Sequence, residues 1–589
     1  MGVVACLTGA VLAAVLLHLA EAKPAPEARI QQGDGTSVIV SSPVQFRSDA
    51  AALRVTLPFT VGSLHPRSYH VFFVGCLDDI RLNGRDVSAP FTLPLCNGDS
   101  GITLDFSEAV KAGDNILMAS LRDAAEWHRF SLTLQASRSD PLILACAAAI
   151  ALFLILATAT LQRKFLSRRR AEMLILWIFL TGVLLRIAYV LATPWNIRGP
   201  DWLGHAQYMR YLLLFKNVPP ESWGWETHQP PLYYILGALW ASGLKFLGAT
   251  LPGGSLTTVI GTLQGWSLVC SVLQLLLMLR IGTLLFPKGK NNLALLFYGM
   301  IAASFPATIF FASRINNDIL AFLFVLIAFL SLLRWWAFPS RRDWLTLSIA
   351  LGLGILTKST VIPLLPVAGI SLLCHPTLSP TKKTRYALSL AGILTILDGW
   401  FLLDRYWFAA RALIGNTGPL VTMKVETTFA NLIVFNPLRI LFYPSLTYNS
   451  PGTGREYVWE VLFRTALFGN APTSMAPLPL ILLLILTGTL LLPVIAAGFV
   501  QAWKNRSLPL PVFLCMIITL AAQLALRIAY PYASAVDFRY SPLLVVCLAA
   551  AAAVAATQSR SGWKICCQII LCSFLFLTTI FPLIIFLWS

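Results

Sequence analysis

Positions 199–234 read GPDWLGHAQYMRYLLLFKNVPPESWGWETHQPPLYY, a segment with three acids, two histidines and two proline pairs. Asp201, His205, Tyr208 and Tyr211 recur at spacings of four, three and three, so a helix here carries them on one face. A carboxylate and an imidazole on one stripe are equipped to move protons, whereas aromatic residues alone would read as an interfacial belt. Glu226 and His228 stand just before Pro230-Pro231. The two rings fix φ and remove two backbone donors, giving a stiff approach to the next helix and a defined height for both side chains. Asp201 is the candidate general base; Glu226 shares that task or holds a substrate hydroxyl. His205, Tyr208 and His228 are candidate substrate contacts, and Glu221 reads as an ordinary loop acid.

Cations that would match these acids lie far along the chain. Arg314 falls in SRINND (313–318), Lys358 in TKST (357–360) and Arg539 in DFRYSP (537–542), each between apolar runs. Arginine grips phosphate bidentately and lysine as a point charge; the competing reading for each is a snorkelling interfacial residue. Asn316, Asn317 and Tyr540 add hydrogen-bonding groups, and Asp318 suits the N-cap of the helix that follows. No His, Cys or Asp cluster has metal-ligand spacing. Should a divalent metal bind, Asp201 and Glu226 are the pair to hold it.

The elements that must position these residues are mostly membrane spans. Of 589 residues, 57% are hydrophobic and 12% charged, with mean hydropathy +0.73, which points to a polytopic α-helical membrane protein. Apolar runs occur at 141–161, 173–192, 231–250, 262–286, 293–312, 318–337, 343–357, 360–375, 386–403, 477–500, 508–528, 541–557 and 565–588. Most approach the roughly 20 residues needed to cross a bilayer. The net charge of +18 concentrates in connections such as QRKFLSRRR, PTKKTR and WKNR, which places them on the cytoplasmic side. No basic stripe marks a nucleic-acid partner. Segments 193–230, 313–318, 357–360, 404–476 and 530–542 then face outward. Under that assignment 231–250 cannot cross once before 262–286 crosses again. It lies along the interface, re-enters, or one basic loop sits on the other side, so the expectation is about 12 or 13 spans.

The N-terminal quarter differs. Residues 1–22 read as a secretory signal ending in Ala20-Glu21-Ala22, or as an anchor helix. Residues 23–139 alternate in short segments (LRVTLPF, YHVFFVG, RFSLTLQ) and carry Asn83-Gly84, a strong hairpin signal; an exported β-sandwich of about eight strands is expected. Cys76 and Cys96 can pair there if the compartment is oxidising.

Taken together, an acid in the first external loop, then E-x-H-x-P-P-L-Y-Y, then SRINNDILAFLFVLIAFLSLLRWW at 313–336 and ALGLGILTKSTVIPLLP at 350–366, resemble the GT-C membrane glycosyltransferases. The nearer branch is the protein O-mannosyltransferase-like and aminoarabinose-transferase-like one, over about 170–560. LNGRDV followed by LDFSEAVKAGDNILMASL resembles galactose-binding-like jelly rolls. The resemblance implies a GT-C-like domain over 140–589 and a polyprenyl-phosphate-linked sugar donor. It also implies an exported lipid, glycan or protein acceptor, and chemistry on the periplasmic side of a bacterial inner membrane. Direct displacement of the phosphate would invert the anomeric centre. Two departures stand out. Asp201-Trp202 replaces the Asp-Glu pair common in protein mannosyltransferases, which weakens protein as acceptor, and Gln229 separates His228 from the prolines. The rival reading is a transporter or flippase for a lipid-linked or anionic substrate, which would place ionisable groups near the bilayer midplane, often within inverted repeats.

Overall fold

The computed structural model describes residues 27–32, 37–41, 44–46, 52–61, 67–87, 95–105, 109, 111, 113–122, 130–138, 168–192, 201–220, 225–246, 256–287, 291–404, 423–444, 452–469 and 478–588. The expected signal at 1–22 and the apolar run at 141–161 lie outside them. The described strands and helices belong to two separate compact units.

In the first unit, Asn83 and Gly84 both adopt positive φ (53° and 82°), the backbone a two-residue I′ hairpin turn requires. They join β5 (Arg67–Leu82) to β6 (Arg85–Asp86), with Leu82 opposite Arg85. The Asn83 side chain then ties the turn down, accepting from Ile116 N at 2.8 Å and donating to Asn115 Oδ1 at 2.9 Å. The other strands are β1 (Glu27–Gln32), β2 (Ser37–Ser41), β3 (Val44–Phe46), β4 (Ala52–Val61), β7 (Leu95–Asp105), β8 (Gly113–Arg122) and β9 (Phe130–Arg138). All nine are joined antiparallel in one ladder rather than divided between two sheets. The reason is the 16-residue β5, whose first half pairs with β9 and whose second half pairs with β8. Alternate residues Val55 and Leu57 of β4, Leu117 and Ala119 of β8, and Leu77, Ile80 and Leu82 of β5 are buried. Cys76 is disulfide-bonded, and Cys96 is its register partner across β5 and β7.

The second unit is helical: α1 (Arg168–Ala192), α2 (Trp202–Phe215), α3 (Leu232–Phe246), α4 (Leu256–Leu285), α5 (Asn292–Ser304), α6 (Pro306–Phe310), α7 (Asp318–Ala337), α8 (Arg341–Ile355), α9 (Leu364–Cys374), α10 (Pro380–Leu402), α11 (Phe429–Ile433), α12 (Pro437–Phe442), α13 (Val458–Phe468), α14 (Leu478–Lys504), α15 (Leu510–Ala529), α16 (Leu544–Gln558) and α17 (Ser561–Trp588). Among the described residues seven helices are long and apolar enough to cross a membrane, or nine if two bent pairs each count as one span. The chain is a multi-pass membrane protein. The run at 231–250, whose crossing the charge pattern left open, is a 15-residue helix, about 22 Å long at 1.5 Å per residue and short of a full crossing.

The expected single span 293–312 is broken. The chain bends by 45° at Phe305, which is extended, before Pro306. Beyond the break, Thr308 N bonds to Phe305 O in a tighter i→i−3 step, and the Pro306 ring removes the N–H that would have met Ala302 O, so the helical ladder is interrupted. Arg186, fully buried on α1, bonds across the break. Its Nη1 donates to Ala303 O (3.0 Å) and Gly182 O (2.9 Å), Nε to Ser271 Oγ (2.9 Å) and Nη2 to Thr308 Oγ1 (3.2 Å). A buried cation is tolerated because every arm is bonded. Elsewhere, α14 and α16 meet backbone to backbone: a Cβ at Gly498 would come within 1.9 Å of Ala551 O. The alanine-rich α16 supplies the flat partner surface, as small residues do between membrane helices.

Two substitutions test these supports. Arg186→Met should strand the Ala303 carbonyl and lower the thermal midpoint of the purified protein by several degrees, reflecting about 1–3 kcal/mol for an unmet buried polar group. Gly498→Val should lower it by at least as much, because the two backbones must separate. A midpoint unchanged in either variant would contradict the corresponding contact.

Candidate functional site

Asp201 holds an unusual place at the start of α2. It is the N-cap residue, yet its φ of 72° and ψ of −7° are left-handed and its side chain makes no capping bond. For a residue other than glycine this conformation costs on the order of 1–3 kcal/mol and persists only where surroundings impose it. Here the carboxylate turns away from the helix to Arg539, whose Nη1 lies 3.2 Å from Asp201 Oδ2. Arg539 belongs to the 3₁₀ turn Phe538–Tyr540, which Asp537 caps by accepting from Arg539 N at 3.0 Å. Asp537 Oδ2 also lies 3.5 Å from Arg539 Nε, and Arg539 Nη2 donates to Tyr540 Oη at 2.9 Å. The turn is braced from behind by α13, where Thr465 Oγ1 accepts from Phe538 N at 2.9 Å.

One helical turn into α2, His205 is buried and its Nδ1 shares a hydrogen bond with Tyr234 Oη at 2.9 Å. Tyr208, one turn further, stacks on Tyr234 with centroids 3.7 Å apart and rings tilted by 6°. The expected stripe of α2 thus meets the second tyrosine of PPLYY. Glu226 sits in a 3₁₀ turn, Trp225–His228, against Gly204 of α2; a Cβ at Gly204 would come within 2.6 Å of Glu226 Cγ. Gly204 is what lets the carboxyl in.

Gln229, the extra residue before the prolines, links two candidates. Its amide nitrogen is 3.0 Å from His228 Nε2, and its Oε1 accepts from Asn317 Nδ2 at 3.2 Å. Asn317 Nδ2 also donates to Thr357 O at 3.3 Å, leaving Asn317 Oδ1 buried without a partner. His205 Nε2 is likewise buried and unpartnered. Such atoms suit the hydroxyls of a ligand. Asp318, expected to cap α7, opens the helix as its first residue; Asn316 Oδ1 accepts from Asp318 N instead, at 2.8 Å. The Asp318 carboxylate pairs with Lys358 Nζ at 2.7 Å, and Lys358 lies over the Tyr540 ring, 5.4 Å from its centroid.

These groups sense one another electrostatically. Burial works against the Asp201 carboxylate, but the Arg539 and Lys358 charges outweigh it and hold Asp201 below the ordinary aspartate range. Burial first, and the Asp201 charge second, push Glu226 up to about 8; Lys358 and Arg539 act against that rise. Burial lowers His205 to about 3, so its imidazole is neutral. At neutral pH the pair is therefore one carboxylate and one carboxylic acid, an arrangement that divides base from proton donor. A divalent cation held by this pair would need both carboxylates ionised and Asp201 shared with or released from its guanidinium. Among the described residues no group of three or more His, Cys, Asp or Glu could hold a metal.

Arg314 stands apart from this group. It is buried, with its guanidinium 5.9 Å from the Phe311 ring centroid and close to Gly469, and no carboxylate among the described residues pairs with it. Of the 404–476 loop, Arg405 and Arg411 lie outside the described residues. Glu460 is buried between Arg439 (3.3 Å) and Arg464 (4.0 Å), and Arg464 Nη1 donates to Thr453 O at 2.7 Å. This part of the loop is a packed block that supports the Phe538–Tyr540 turn through Thr465. Four residues that sequence reasoning did not assign, Gly204, Gln229, Thr465 and Asp537, help to build the site. Gln229 alone carried a signal, as an insertion.

Residues 256–400 match a family model described as dolichyl-phosphate-mannose-protein mannosyltransferase. No curated protein matches the chain. Among solved structures it is similar to the oligosaccharyltransferase of Archaeoglobus fulgidus (15% identity, TM-score 0.37, covering 70% of this chain and 56% of that one). It is also similar to ArnT from Cupriavidus metallidurans bound to undecaprenyl phosphate (14%, 0.32, 69% and 78%). A third is the arabinosyltransferase EmbB from Mycobacterium smegmatis (11%, 0.37, 90% and 50%). The chain spans 56% of the oligosaccharyltransferase's length.

Infrared titration of the purified protein tests the divided pair. A protonated carboxylic-acid band should persist through neutral pH, vanish as pH rises through about 8, and be missing in Glu226→Gln. Gly204→Ala should displace Glu226 and move that midpoint toward the ordinary carboxyl range. A midpoint unmoved by the added methyl would show that Gly204 does not set it.

Proposed function

We propose that the chain is a membrane glycosyltransferase that moves a sugar from a polyprenyl-phosphate carrier to an exported lipid, glycan or protein acceptor. The observation that carries the reading is the meeting of two carboxyl side chains, Asp201 and Glu226, with two cations, Lys358 and Arg539, at the ends of apolar helices. The family-model match over 256–400 supports a lipid-phosphate sugar donor, since that stretch includes Asn317, Asp318 and Lys358. A lipid-linked sugar keeps its tail in hydrocarbon and its phosphate at headgroup depth, so acids and cations at helix ends meet it where it must stand.

The steps follow from these groups. Asp201 takes the proton of the acceptor hydroxyl as its oxygen attacks the anomeric carbon. The bond from that carbon to the phosphate oxygen breaks, and its electron pair leaves with the phosphate, where Arg539 and Lys358 offset the developing charge. Attack from the face opposite the phosphate inverts the anomeric centre, so no second nucleophile is needed. Glu226, neutral, donates to a donor hydroxyl. His205 Nε2 and Asn317 Oδ1 take further hydroxyls. The side chain of Asp201 retains 28% exposure, leaving an approach for the acceptor. The reading places this chemistry on the periplasmic face of a bacterial inner membrane.

Purified protein supplied with lipid-linked sugars and membrane glycolipids should yield a covalent product by mass spectrometry, and Asp201→Asn should slow its formation about 100-fold or more. Movement of the lipid across proteoliposomes with no covalent product would favour a transporter and defeat the reading. Wild-type activity should decline as pH rises through about 8, because Glu226 loses its proton and its ability to donate. Glu226→Gln, which cannot ionise, should stay within about threefold of wild type at pH 7 and lack that decline.

A further inference from the structure

In this structure Lys358 and Arg539 already face carboxylates: Lys358 meets Asp318 at 2.7 Å, and Arg539 meets Asp201 at 3.2 Å and Asp537 at 3.5 Å. An incoming phosphate adds negative charge to a cluster whose cations already face three aspartates. In a poorly solvated site that addition is costly unless a carboxylate gives way. The geometry distinguishes which one can.

Asp537 is fixed. Only 5% of its side chain is accessible, it lies two residues from Arg539, and its Oδ1 is bonded to Arg539 N. Asp318 is similarly enclosed, with 4% of its side chain accessible, in the first turn of α7. Asp201 differs on every count. It reaches Arg539 from a segment 338 residues away, is 28% accessible, holds a left-handed backbone and forgoes the capping bond open to an aspartate at that position. Leaving Arg539 would let Asp201 relax and would bring its oxygens toward the accessible side.

We infer that Asp201 occupies on Arg539 the place the donor's phosphate takes. Phosphate displaces Asp201 from the Nη1 end of the guanidinium, and Asp537 is a positioning residue that keeps Arg539 in place through the exchange. The displaced carboxylate loses its strongest stabilising neighbour and becomes a better proton acceptor, so the base is armed only when donor is present. A guanidinium held at Nε by Asp537 and at Nη2 by the Tyr540 hydroxyl still presents its Nη1 edge to an anion. This inference rests on the proposed donor. It adds an order of events: phosphate first, then proton abstraction.

The test is equilibrium binding of undecaprenyl monophosphate, a sugar-free probe, to the full chain in nanodiscs. Asp201→Asn, nearly isosteric, should bind the probe about tenfold more tightly than wild type while losing sugar transfer, because a competing anion has been removed. Asp537→Asn should bind it about tenfold more weakly, with the donor KM raised and kcat within about threefold of wild type, and Asp537→Glu should recover most of the affinity. A purely structural Asp537 would reduce the amount of folded protein without that split between KM and kcat. Unchanged or weakened probe binding in Asp201→Asn overturns the exchange while leaving the donor reading intact. Failure of wild type and variants alike to bind the probe overturns both.

Discussion

A charge at the end of an apolar helix must be matched, because water is scarce there and an uncompensated ion costs several kcal/mol. The helical unit meets that constraint with long-range pairs. Arg539 is matched by Asp537, two residues before it, and by Asp201, 338 residues away in the chain. Lys358 is matched by Asp318, and Arg186 by carbonyls and hydroxyls alone. Each pair draws together elements that hydrophobic packing would leave free to slide. The strained backbone of Asp201 records that pull: a helix cap is given up so that a guanidinium can be met.

Around this ionic frame the site is kept rigid by aromatic and amide contacts. The stack of Tyr208 on Tyr234 and the bond from Tyr234 to His205 fix the face of α2. Gln229 clamps His228 to Asn317. Groups held in this way need little reorganisation when charge develops, which is where much of the catalytic benefit of a polar site lies. The opposite protonation of Asp201 and Glu226 comes from the same compactness, since two neighbouring buried carboxyls share a limited supply of positive charge.

Much of this was legible in the sequence. The helical spacing from Asp201 to Tyr208, the proline-stiffened Glu226, and the cations Lys358 and Arg539 all reach the cluster, since charges near apolar runs have few other uses. Arg314 has the same signature but turns to Phe311 and Gly469, a choice settled by tertiary packing. Asp318 looked like a cap because the rule for caps is local, whereas its partner lies forty residues on. The break at Phe305 was hidden by averaging: the run is uniformly apolar, and the buried Arg186 that bonds Ala303 and Thr308 across it comes from another helix. Gly204 and Thr465 act through a missing methyl and a single hydroxyl, for which sequence pattern has no signature. In the N-terminal unit the Asn83-Gly84 turn was local and legible. The single ladder was not, because it depends on how far β5 runs.

The bend at Phe305 also acts as a lever. From Pro306 to Asp318 the chain is short and packed, with Gln264 and Ser267 of α4 holding the carbonyls of Ser313 and Arg314. The angle at the break therefore fixes how deep Asn317 sits, and the partner that stabilises the break, Arg186, is on another helix. A change in how α1 tilts would be felt as a vertical shift of an amide whose buried oxygen has no partner in the protein. Adaptation to a thicker or thinner bilayer and the depth of that amide would then share one mechanical control.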